Sequence, residues 1–231
     1  MCPEEAFDKL RLTKNLTSNI LRLSLNCLIE LHYLPSIAWF TATQSFDTVV
    51  LEKHENFVKQ SYRSRCKILT SQGIQELTVP LTGKHGKTLI TDIKIDYTQK
   101  WLNNHWRSIV SAYNNAPFFE YYSDALHDTL YKEHKFLYDL NLELLTICRG
   151  WLKLPNAITE TMAYEKVPET GTTDLRNLVN AKKPAGYEKY FQPIKYTQVF
   201  GHTFAENLSV IDLIFCEGPN ARQIISRPRT E

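Results

Sequence analysis

Lys59, Arg63, Arg65 and Lys67 follow one another in the stretch 59–67 with no acidic residue between them. In a strand, residues two apart share a face, so Arg63, Arg65 and Lys67 project on one side and Ser64, Cys66 and Ile68 on the other. Three cations on one face repel one another. They are tolerable when solvated and useful when they meet a phosphate or carboxylate, which an arginine fork binds with two parallel hydrogen bonds. The structural alternative is a solvated basic edge that discourages strand pairing. His105 lies one helical turn after Trp101 and next to Trp106. Set against two indoles, a histidine can take a shifted pKa and act as acid, base or hydrogen-bond donor. It can equally be a packed core residue satisfied by one backbone partner. His54 and Glu55 follow the apolar run Val49-Val50-Leu51. α/β proteins hold ligands outside the carboxyl ends of their strands. If that run closes a βαβ unit, His54, Glu55, Arg63 and Arg65 line one crevice.

Other motifs fail on spacing. Thr82 to Thr88 reads TGKHGKT, but only Lys84 and His85 separate Gly83 from Gly86, where a phosphate loop needs four residues. The next segment, LITDIKI, is strand-like, so the helix N-terminus that completes an anion cradle is missing. His54-Glu55 has Val58 where a zinc-protease helix needs its second histidine. No G-x-S-x-G elbow occurs. His127 and His134 can share a helix face but have no evident third ligand, so no metal is expected.

The elements that must position these residues are legible in the apolar pattern. Leu25 to Leu31 reads as a buried strand, and Pro35 fits the first turn of a short helix from Ser36. Val49 to Leu51 reads as a second strand, which gives a βαβ-like unit. A hairpin is expected, with Arg65–Leu69 pairing against Gln75–Val79 across Ser71-Gln72-Gly73. Leu89 to Ile95 reads as another strand. From Gln99 the period becomes helical: Trp101, His105, Ile109 and Ala112 form one stripe, flanked by Leu102, Trp106, Val110 and Tyr113. Further helices are expected at about Phe118–His134, Phe136–Leu152 and Leu208–Phe215, with helix resuming at Asn220–Ile225. Residues 156–206 read as mixed. The fold class is therefore α/β, with an N-terminal βαβ-like unit, an added hairpin and a helical C-terminal half, read as one unit over 25–231. Residues 1–24 read as a disordered extension, a mis-called start or an amphipathic helix over Phe7–Leu23.

Composition narrows the classes. The 231 residues carry 43% hydrophobic and 23% charged residues, which excludes a mostly disordered chain. A formal net charge of +2 gives no global field toward nucleic acid. Eight glycines leave few places for backbone to approach a phosphate, so cofactors held by glycine-rich loops are not expected. The five cysteines show no C-x-x-C spacing, and their odd number argues against a disulfide framework and for a reducing compartment. No stretch is apolar enough for a membrane span.

The segments YLPSIAWF, HENFVKQSYRSRCKI, WLNNHWRSIVSAYNNAPFFEYY and NLSVIDLIFCEGPNA together resemble the WbqC-like protein family. The most specific part is Lys59, Arg63 and Arg65 combined with Trp101, His105, Trp106, Tyr113 and Ala116-Pro117. The chain looks like a shorter branch: it has Tyr33-Leu34-Pro35 where larger members begin with Gln-Pro, and Lys53 and His54 where they carry acids. The resemblance implies a cytoplasmic transferase that moves an acyl, glycyl or similar group. The acceptor it implies is a nucleotide- or lipid-linked sugar of surface polysaccharide (O-antigen) biosynthesis. On that expectation Arg63, Arg65 and Lys67, walled by Trp101 and Trp106, bind a small anionic substrate such as a nucleotide sugar. His105, or else His54, is the general base, and Lys59 supports charge in the transition state. No cofactor, metal, nucleic acid or membrane span is implied. The alternative is a non-catalytic binding or assembly module of the same pathway, using its aromatic helices as a partner surface.

Overall fold

A computed structural model describes residues 25–83, 86–180, 190–201 and 203–226. The expectations for residues 1–24 and for Lys84 and His85 lie outside them. The βαβ unit is present: β1 (Asn26–Glu30), α1 (Ile37–Thr43) and β2 (Thr48–Glu52). β1 and β2 are parallel and in register from Asn26↔Thr48 to Glu30↔Glu52. The hairpin follows as β3 (Arg65–Thr70) and β4 (Gly73–Thr78), antiparallel and closed by a two-residue turn. The Thr70 hydroxyl donates to the Gly73 carbonyl at 2.9 Å, and Gly73 takes φ +103°, a value side chains disfavour.

Three helices come next: α2 (Trp101–Tyr113), α3 (Phe119–Leu130) and α4 (Leu137–Leu152). The stripe Trp101, His105, Ile109 and Ala112 is buried in full. α3 ends at Leu130, four residues before the expected His134, and Glu133 turns into the left-handed region at φ +53°. Leu89 to Ile95 is not a strand. It is a 3-10 turn at Ile90–Asp92 flanked by isolated bridges, Asn56↔Leu89, Leu81↔Ile95 and Lys94↔Phe136. Its isoleucines Ile90, Ile93 and Ile95 are buried, but they follow a loop path.

Two short strands emerge from the mixed region: β5 (Ala157–Glu160) and β6 (Thr172–Asp174). Both join the βαβ unit in parallel, giving the sheet order β5-β2-β1-β6. The chain ends in α5 (Val210–Glu217), a 3-10 turn at Gly218–Asn220 and α6 (Ala221–Ser226). Cys27 and Ile29 of β1 and Val49 and Leu51 of β2 enter one apolar core shared with the hairpin and all six helices. Leu28 and Val50, paired across the sheet, face away from that core. No helix among the described residues is long and apolar enough to cross a membrane.

Candidate functional site

Every strand of the parallel sheet ends on a carboxylate: Glu30 on β1, Glu52 on β2, Glu160 on β5 and Asp174 on β6. Parallel pairing brings all four carboxyl ends to one edge. The order also reverses at β1, whose connection runs to β2 while β6 joins from the other side. Such a switch point is where open α/β sheets form their crevices. Glu30 and Glu52 are almost wholly buried, and a buried carboxylate is tolerable only when charges and donors compensate it.

Arg63 is the principal compensation. It lies two residues before β3, not on it, and is 2% exposed. Its guanidinium grips Glu55 through two bonds, Nε to Oε1 and Nη2 to Oε2, each 2.6 Å. Nη1 stands 3.9 Å from Glu30, and Nη2 donates to the Asn177 side-chain oxygen at 3.3 Å. The Arg63 carbonyl is held by Asn141 Nδ2 of α4 at 2.7 Å. Glu30 is bonded to His32 Nε2 at 3.1 Å and accepts the Asn177 backbone N–H at 2.8 Å. Burial alone pushes the Glu30 carboxyl up, but His32, Arg63 and Asn177 outweigh it and hold the group down at about 2. At Glu55 burial prevails over Arg63, and with Glu30 and Glu52 nearby its carboxyl is raised. Burial lowers the pKa of His32, so its imidazole favours the neutral form.

Arg176, just after β6, performs the same service on the other side. It binds Asp174 through Nε (3.0 Å) and Nη2 (2.8 Å) and reaches Glu52 Oε2 at 3.2 Å. It also donates to the carbonyls of Glu165 (2.8 Å) and Lys166 (3.3 Å), and its guanidinium lies 5.2 Å from the Tyr164 ring centre. One side chain thus ties the loop 161–169 to the sheet edge. Glu52 further accepts from the His54 backbone N–H at 2.9 Å and the Thr161 hydroxyl at 2.8 Å.

Against this edge lies a cavity of about 560 Å³, whose walls include His54, Glu55, Tyr164, Lys166, Arg176 and Asn177. His54 is half-buried, and its Nε2 is shielded with no hydrogen-bond partner among the described residues. A smaller space of about 50 Å³ adjoins Glu30, Lys59, Gln60, Arg63 and Asn177. Gln60 (φ +55°) and Asn177 (φ +59°) hold left-handed backbone here, a form that Asn tolerates well and that carries strain at Gln60. Among the described residues no group of three or more His, Cys, Asp or Glu is placed to hold a metal ion.

The residues singled out from sequence fall into separate places. His54, Glu55 and Arg63 meet at the sheet edge, with Lys59 on its rim. Arg65 does not join them: on β3 it pairs with Glu76 of β4 at 2.7 Å, half-exposed on the hairpin. Lys67 stands opposite Glu76 in the same ladder. The shared face of Arg63, Arg65 and Lys67 fails because the strand begins only at Arg65. His105 is 5% exposed and lines neither of these two cavities. Its Nδ1 bonds the Tyr33 hydroxyl at 3.0 Å, and the Trp101 ring meets it edge-on at 5.0 Å. Burial lowers its pKa to about 4, only partly opposed by the Thr78 backbone. Trp101 is buried beside it, and Trp106 packs on Phe119 and His127. Sequence reasoning missed Glu30, Glu52, Asp174 and Arg176. The apolar strand followed at once by an acid, LIE and VLE, was the available signal for the first two.

A sequence model of the WbqC-like protein family matches residues 31–195. The chain is similar to a protein named "Uncharacterized protein Rv1507c" from Mycobacterium tuberculosis (strain ATCC 25618 / H37Rv). The two are 27% identical over 222 residues, covering 84% of this chain and 94% of that protein. No solved structure matches the chain.

Proposed function

We propose, from the premise that the chain belongs to the WbqC-like protein family, that it is a transferase acting at the carboxyl edge of its parallel sheet. It moves an acyl or glycyl-type group onto an amine or hydroxyl of a nucleotide- or lipid-linked sugar in surface-polysaccharide assembly. The observation that carries this is the 560 Å³ cavity at the sheet edge, whose wall holds His54 beside Glu55 of the buried Glu55–Arg63 pair. His54 takes the proton as the acceptor's nitrogen or oxygen attacks the donor's carbonyl carbon. The donor's leaving group then departs with the bond's electron pair. Lys166 on the wall, and Lys59 in the smaller adjoining space, meet the anionic part of the substrate. Arg63 does not, because Glu55 already occupies its fork, and Arg65 does not, because it lies on the hairpin paired with Glu76. In this proposal His105, neutral and enclosed, packs and does not act as the base.

Differential scanning fluorimetry against nucleotide sugars and activated acyl donors tests this. At least one member of the panel raises the melting temperature, and His54→Ala or Lys166→Ala removes that shift while Arg65→Ala keeps it. A flat panel, or a shift that survives both losses, contradicts the proposal.

A second reading, a partner-binding module, draws on one observation: Tyr121 on α3 is 79% exposed. A stable partner recovered by pull-down and lost on Tyr121→Ala, with His54→Ala still functional in cells, favours that reading.

A further inference from the structure

The parallel sheet has a second face that the core does not use. Sheets of parallel strands are ordinarily covered on both sides. Here Leu28 is 4% exposed yet stands outside the core cluster, and its register partner Val50 is half-buried on the same side. The loop 161–169, tied by Arg176, lies beside them and borders an open cavity of about 300 Å³. Leu28, Val50 and Pro168 supply apolar wall. The ionisable groups of its lining are Glu52, Glu160, Glu165 and Glu169, with no lysine, arginine or histidine.

Those charges are only partly met. Glu52 has Arg176 at 3.2 Å, a cation it shares with Asp174. Glu160 has Lys53 at 2.8 Å and the Tyr138 hydroxyl at 3.2 Å. Glu165 and Glu169 have no ion-pair partner among the described residues. The wall therefore keeps surplus negative charge over an apolar floor, which repels phosphates and carboxylates and favours a cation with a hydrophobic face.

We infer that this cavity is a binding site, distinct from the one holding His54, for a protonated primary amine carried on a compact ring, such as an amino sugar. The ring's apolar face lies on Leu28 and Val50, and the ammonium is drawn to the glutamates. The inference goes beyond the transferase proposal: the cavity lies across the loop from His54, and binding here does not require turnover.

Ligand-observed saturation-transfer NMR on the full chain tests it, with glucosamine at a pH that keeps its amine protonated and glucose as control. Glucosamine binds about tenfold or more tightly than glucose. The double variant Glu165→Gln/Glu169→Gln, both positions exposed and safe for folding, weakens glucosamine severalfold and leaves glucose unchanged. Absence of glucosamine binding, equal binding of the two sugars, or an unaffected double variant overturns the inference. Glucosamine carries neither phosphate nor acyl group. Binding by a chain without transferase activity leaves this site standing and removes the proposal above, and the converse result does the reverse.

Discussion

Glu30 at the sheet edge and His105 in the aromatic layer are buried to nearly the same degree, yet burial acts on them with opposite results. Both lose water, which disfavours the charged form of each. His105 finds only neutral partners, Tyr33 and the Thr78 backbone, so it sheds its proton and its pKa falls to about 4. Glu30 finds Arg63, His32 and the Asn177 amide, so it stays ionised and its pKa falls to about 2. Burial makes a group expensive, and its partners decide whether the charge survives. One region keeps charge inside the protein and borders cavities. The other discards charge and packs.

The largest effect comes from removing the cation that holds the charged region together. Arg63→Ala leaves Glu55 buried without its cation and removes one of the three groups that compensate Glu30, which costs about 3–5 kcal/mol. Urea unfolding monitored by tryptophan fluorescence then shows a collapsed midpoint or no folded state. A loss below about 1 kcal/mol would mean the edge is wetter than its geometry implies.

The two regions also separate on a pH axis. His105 has its folded pKa below the ordinary 6.5, so the unfolded chain binds more protons between about 4 and 6.5. Stability is full above 6.5 and is lost as pH falls toward 4, by up to about 1.4 kcal/mol per pH unit. His32, also lowered, adds in that window until it too is protonated. Glu30 has its folded pKa near 2 against an ordinary 4.5, so its contribution is full above 4.5 and lost only below it. His105→Gln flattens the upper window and spares the lower one, as thermal melts from pH 7 to pH 3 would read. An unchanged upper slope would show that His105 is not the group responsible.

The smallest effect is the sharpest control. Arg65→Ala removes a pair on the hairpin surface, Arg65–Glu76, in which Glu76 is more than a third exposed. Its cost is about 0.2–1 kcal/mol, so two arginines two residues apart differ severalfold in importance. Comparable losses at Arg63 and Arg65 would erase the distinction.

Regular periods made much of this architecture legible in the chain. The βαβ unit, the hairpin and α2 to α4 follow from apolar runs and stripes that local rules read directly. β5 and β6 escaped because AITE and TTD are short, threonine-bearing and half-exposed, and only pairing with β1 and β2 makes them strands. The site was legible in part for the same reason. His54, Glu55 and Arg63 are close in sequence, so the carboxyl-end rule could gather them. Glu30 and Asp174 are distant in sequence and meet only through sheet order. Arg63 was placed on one strand face with Arg65 and Lys67 because alternation was extended two residues upstream of the strand's start at Arg65.

The account's central claim is that chemistry belongs to the sheet's carboxyl edge and not to the aromatic helix. The most direct measurement compares His54→Ala with His105→Gln. Both are titrated with whichever nucleotide sugar or acyl donor most raises the wild-type melting temperature. The account predicts that His54→Ala weakens binding about tenfold or more, roughly 1.4 kcal/mol, while His105→Gln stays close to wild type. Binding that survives His54→Ala and disappears with His105→Gln in a folded protein would contradict it.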